Sequence, residues 1–128
     1  MKTTTYFKLV RDKIPEIIEA DGKCAHYRQS RDDAEFEEAL KEKLIEETFE
    51  LLEAASDVDN VLTPKGQDDV IEEMADIMEV LGYMYGRNDI FEKVRRRAIN
   101  KYGKKGGFDQ RYLLECVVEE DEDDGSET

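Results

Sequence analysis

The sequence predicts an all-α fold, a helical bundle of two long helices plus shorter helices, with minor extended segments near the termini. Three observations carry this expectation. Apolar residues recur at helical spacing through two long stretches, 32–55 and 67–85. Capping residues, proline and glycine punctuate the chain where those stretches begin and end. The 128 residues suit a single small domain, expected over 1–118, which would gain from an interface because two long helices enclose only a thin core.

Taken in order, residues Thr3 to Val10 mix β-branched and aromatic side chains and read as extended or a short strand. Ile14-Pro15 opens a short helix, since proline suits a first helical turn, and Asp21-Gly22 closes it. Cys24 to Gln29 reads as extended. Ser30, followed by Asp33, resembles a cap for the first long helix, from about Asp32 to Ala55. Asp57 to Lys65 reads as a loop, and the second long helix runs from about Gln67 to Tyr85. Asp89 with Glu92 forms a capping box for a third helix ending at Tyr102-Gly103. Phe108 to Val118 reads as extended. Glu119 to Thr128 holds seven acids and no apolar residue, so it is expected to stay disordered.

Composition narrows the function classes. A formal net charge of −14 argues against nucleic-acid or anionic-membrane partners, which reward basic surfaces. No basic-then-apolar leader opens the chain and no apolar run reaches spanning length, so a cytoplasmic protein is expected. Cys24 and Cys116 are too few for a disulfide framework, and a lone His26 excludes histidine-rich metal sites.

Among 33 acidic residues, two clusters stand apart: Glu46-Glu47-x-x-Glu50 and Glu72-Glu73-x-x-Asp76. On a helical wheel Glu47 falls in the middle of the stripe Phe36, Leu40, Leu44, Leu51 and Ala54. Glu50 and Glu46 lie progressively towards its rim. Glu73 falls inside the arc Val70, Ile71, Met74, Ile77, Met78, Val80, Leu81 and Met84, with Asp76 on its edge. Glu72 and Glu79 project from the polar side. A carboxylate at a core position needs a cation, because burying an unpaired charge is very costly. Lys43 is the only lysine or arginine near these faces, and one lysine cannot balance four acids. A hard divalent cation such as Mg²⁺, with Mn²⁺ as a substitute, would.

Bases concentrate elsewhere. Lys93, Arg95, Arg96, Arg97, Lys101, Lys104 and Lys105 crowd the third helix and its end, next to Gly106-Gly107; Lys8, Arg11 and Lys13 flank the first short helix. Acidic metal sites combined with such bases suit a polyphosphate. Arg97, Lys101, Lys104 and Lys105 are the expected phosphate contacts, joined by Arg11, Lys13 and Lys43.

Lys43-x-x-Glu46-Glu47-x-x-Glu50 followed by Glu73-x-x-Asp76 resembles the signature of the MazG-like all-α nucleoside triphosphate pyrophosphohydrolases. Lys8-Leu9-Val10-Arg11-Asp12-Lys13-Ile14-Pro15 and Gly106-Gly107-Phe108 resemble the phosphoribosyl-ATP pyrophosphohydrolase-like branch, so the similarity spans roughly residues 6 to 114. The resemblance implies an all-α NTP pyrophosphatase-like fold, a homodimer or higher oligomer, and Mg²⁺-dependent hydrolysis of a nucleoside triphosphate to monophosphate and pyrophosphate. It implies Glu47, Glu50, Glu73 and Asp76 as metal ligands and Glu46 as the general base. The alternatives are hydrolysis of phosphoribosyl-ATP itself in histidine biosynthesis, or a non-catalytic metal- or nucleotide-binding module.

Overall fold

The computed structural model of the chain describes residues 1–4 and 6–121. They form five helices, α1 (Ile14–Ala20), α2 (Asp33–Ser56), α3 (Val58–Val61), α4 (Pro64–Tyr85) and α5 (Arg87–Lys105), with no strand among the described residues. The fold is all-α, as the periodicity predicts. The segments 6–10, 24–29 and 108–118 are irregular; the β-branched and aromatic residues there find no partner strand to pair with. Most of the acidic tail, 122–128, lies outside the described residues. No helix among those described is long and apolar enough to cross a membrane.

The chain divides into two compact units, residues 1–93 and 94 onward. In the first, α2 packs against α4, and α3 touches both. The helices run antiparallel, which sets Leu40 of α2 with Val80 of α4, and these two are the buried large apolar residues among those described. Phe36, Leu44 and Leu51 of α2 and Ile77 and Leu81 of α4 are half-buried. Only part of the expected arc on α4 is covered. Ile71, Met74 and Met78 remain more than half exposed, as do Ile45, Phe49 and Leu52 of α2.

Helix ends correct several expectations. Asp32 rather than Ser30 caps α2: its side chain accepts the Glu35 N–H at 2.8 Å, and its extended backbone sits directly before the first helical residue. Glu35 in turn holds Arg28 and Arg31, at 2.6 Å each, and Arg28 above all pushes its carboxyl down to about 2. The stretch expected as a loop contains α3, capped by Asp57, whose side chain accepts the Asn60 N–H. α4 starts earlier than Gln67 because Thr63 caps it and Pro64 takes the first turn. Asp89 does not cap α5 but lies in its first turn, where negative charge meets the positive end of the helix dipole. α5 also runs past Tyr102-Gly103, ending where the Gly106 N–H bonds the Tyr102 carbonyl.

Two glycines shape the ends of α4. Gly86 has φ of 93°, which L side chains rarely adopt, and ends α4. Gly66 is buried against α3: a Cβ there would lie 1.7 Å from the Asn60 carbonyl oxygen. Backbone cannot swing aside, so Gly66→Ala should destabilise the fold by roughly 3 kcal/mol, the upper end for overpacking. Chemical denaturation of the variant checks this, and a midpoint equal to the wild type's would contradict the tight α3–α4 approach.

Candidate metal centre

Glu47 is 4% exposed, the one buried charged residue identified among those described. Helical spacing forces this position. The stripe that packs α2 onto α4 passes through residue 47, so its carboxylate enters the interface with its apolar neighbours. Lys43, one turn earlier, reaches Glu47 Oε1 at 3.1 Å and Glu46 at 3.7 Å. Glu47 Oε2 and Glu73 Oε2 are buried without a hydrogen-bond partner.

Two sets of acids converge, Glu46 with Glu47 and Glu50, and Glu47 with Glu73 and Asp76. Within each set the nearest carboxylate oxygens all lie within 4.8 Å of one another, and Glu47 belongs to both. Burial pushes the carboxyls of Glu47 and Glu73 above the usual range. Lys43 works against this at Glu47, whereas the neighbouring Glu50 raises it further. At Glu73 the charges of Glu47 and Asp76 add to desolvation, and a hydrogen bond with Glu50 opposes it.

The N-terminal segment supplies two more cations. Arg11 donates to Asp76 Oδ1 at 2.8 Å, and Lys8 donates to Glu46 Oε1 at 3.3 Å. This corrects the expectation that Lys43 is the only base near these faces; the added partners Arg11 and Lys8 lie 65 and 38 residues away in sequence from their acids, beyond the reach of helical spacing. What holds the segment is visible nearby. The Phe7 ring sits under Arg28, itself pinned by Glu35 at the start of α2. Lys8, noted in the sequence only as one of the bases flanking the first short helix, is the site residue missing from the expected set. Lys13 instead occupies the backbone N-cap of α1 and is exposed.

Glu50 and Asp76 are half-buried on the rims and Glu72 is exposed, as the wheel predicts. Glu79 departs from the polar side assigned to it and is half-buried. Arg97, Lys101, Lys104 and Lys105 belong to the second unit and are exposed on α5. Lys104 and Lys105 stand in its last turn, where positive charge suits the carbonyl end of the helix. Their assignment to phosphate rests on charge alone.

This donor set fits a hard divalent cation. It consists only of carboxylate oxygens, it comes from two rigid helices, and two of its oxygens are buried with no proton donor to satisfy them. Lys43, Lys8 and Arg11 each take an oxygen on the periphery, leaving the centre to Glu47 Oε2 and Glu73 Oε2. No family model matches the chain, and neither a curated protein nor a solved structure is significantly similar to it.

Proposed function

We propose that the chain is a Mg²⁺-dependent nucleoside triphosphate pyrophosphohydrolase of the nucleotide-pool, house-cleaning type. The observation that carries this reading is the pair of buried, unpartnered oxygens of Glu47 and Glu73 at the centre of converging carboxylates. The resemblance of the same residues to the MazG-like signature supports it.

In this reading Glu47, Glu50, Glu73 and Asp76 hold the metal. A divalent cation bound there supplies Lewis acidity towards phosphoryl oxygens and neutralises the leaving pyrophosphate. Glu46, steadied by Lys8 and Lys43, takes the proton of the attacking water. Water adds to the α-phosphorus and the α–β phosphoanhydride bond breaks, giving monophosphate and pyrophosphate. Arg11 reaches the site from the N-terminal segment through Asp76 and could turn to the phosphates if Asp76 served the cation, whereas Lys8 would stay with Glu46.

Pyrophosphate release is the test, measured with Mg²⁺ on the standard and modified nucleoside triphosphates and on phosphoribosyl-ATP. Turnover of triphosphates that EDTA abolishes is the expected result. Tight nucleotide binding with no product from any of them would move the reading to a non-catalytic module.

The exposed stripes Ile45, Phe49 and Leu52 on α2 and Ile71, Met74 and Met78 on α4 favour a homodimer or higher oligomer. Sedimentation should give at least a dimer, and Phe49→Asp should shift it to monomer. A wild-type monomer at all concentrations would contradict the proposal.

A further inference from the structure

A cavity of about 550 Å³ lies between the N-terminal segment and the α2–α4 hairpin, within the size range of small-molecule sites. Its lining changes character along the helices. Lys43 and Glu47 of α2 and Asp76 of α4 mark one end, together with Arg11; Phe36 of α2 and Tyr83 of α4 mark the other. Because the helices are antiparallel, both aromatic residues fall at the same end, and Asp76 to Tyr83 covers about 10 Å of helix axis. Leu9, Val10 and Leu40 line the wall between. A charged end joined to the carboxylate cluster and an apolar, aromatic end beyond it match a molecule with phosphates on one side and a flat ring on the other.

Glu79 interrupts the apolar wall, one turn from Asp76 towards Tyr83. An ionised carboxylate only accepts hydrogen bonds and has several lone-pair positions, so a contact within the protein does not exhaust it. Facing a base, it attracts amino groups and repels carbonyl oxygens.

We propose that this cavity binds the nucleoside of the substrate and that Glu79 selects bases bearing an exocyclic amino group, guanine, adenine and cytosine, over uracil. The inference rests on the pyrophosphohydrolase reading for its substrate class. Glu79 is a specificity residue in this account, separate from the acids that hold the metal.

The test uses the full chain, wild type, Glu79→Gln and Tyr83→Leu, with two readouts: pyrophosphate release from GTP, ATP, CTP and UTP, and equilibrium binding of the four monophosphates. The amino-bearing bases should exceed uracil by about tenfold in kcat/KM and in affinity, since a site built to accept hydrogen bonds discriminates against a base lacking the donor. Glu79→Gln, which can both donate and accept, should erase most of that ratio while Mn²⁺ binding keeps its wild-type midpoint. Tyr83→Leu should weaken all four nucleotides alike. Triphosphate turnover whose base preference neither substitution changes would overturn this inference and leave the hydrolase reading intact. Monophosphate binding with a Glu79-dependent preference, but no turnover of any triphosphate, would overturn the hydrolase reading and leave the pocket standing. No binding and no turnover would overturn both.

Discussion

Replacing Glu73 by Gln should reduce Mg²⁺-dependent pyrophosphate release by at least about 100-fold, because a ligand matters no less than the outer-shell groups whose loss costs 10–100-fold. The same substitution should raise the melting temperature of the metal-free protein. Both effects have one cause. Glu73 brings a carboxylate into the α2–α4 interface, its Oε2 is buried without a partner, and the nearby acids Glu47 and Asp76 make its charge costlier. Gln keeps the shape and removes the charge. Glu47→Gln should lose activity equally but gain less stability, because Lys43 at 3.1 Å already compensates Glu47 and would lose that partner. Thermal melts in EDTA beside turnover assays check the pair. Loss of activity with loss of metal-free stability at Glu73 would mark it as a structural acid.

Mg²⁺ should stabilise the wild-type chain strongly and in a pH-dependent way. A cation that binds only the folded state at 100 times its dissociation constant adds about 2.7 kcal/mol, roughly 10 °C in melting temperature for a domain of this size. Glu47 and Glu73 bind protons more readily when folded than when unfolded. Their contribution to metal-free stability is therefore fully present below the ordinary carboxylate range and is lost as pH rises through their raised values. Glu35 has the opposite sign: Arg28 and Arg31 hold it near 2, so its contribution exists above the ordinary range and disappears on strong acidification. Without metal, the stabilising share of Glu47 and Glu73 should decline as pH rises beyond the ordinary carboxylate range. Mg²⁺ should restore it most at the alkaline end, where it no longer competes with protons. The groups facing these acids are Lys43, Glu46, Glu50, Asp76, Lys8 and Arg11. Melting curves across pH, with Mg²⁺ and with EDTA, decide the matter. A Mg²⁺ effect that is absent, or equal in Glu73→Gln, would contradict it.

The helical part of this architecture was legible because one periodicity governs both packing and burial. The stripe from Phe36 to Ala54 named the face of α2 that meets α4, and Glu47 had to lie on it. The same reasoning placed Glu73 inside the interface and Glu72 outside. It overreached at Ile71, Met74 and Met78, which are apolar on the wheel but have no neighbour within the first unit to cover them. Helix starts were misread where several capping residues compete: Ser30, Asp32 and Asp33 all qualify by type, and only backbone geometry selects Asp32. The cations from the N-terminal segment were the least legible. Lys8 and Arg11 meet Glu46 and Asp76 through tertiary placement, fixed by Phe7 on Arg28 and Arg28 on Glu35, which no local spacing encodes.

Mn²⁺ titration of the full chain, followed by electron paramagnetic resonance, tests the carboxylate site most directly, because it asks for the cation without asking for a substrate. Saturable binding in the wild type, displaced by Mg²⁺ and lost in both Glu47→Gln and Glu73→Gln, is the expected result. Wild-type binding no tighter than in the two variants would show that the buried oxygens of Glu47 and Glu73 hold no metal.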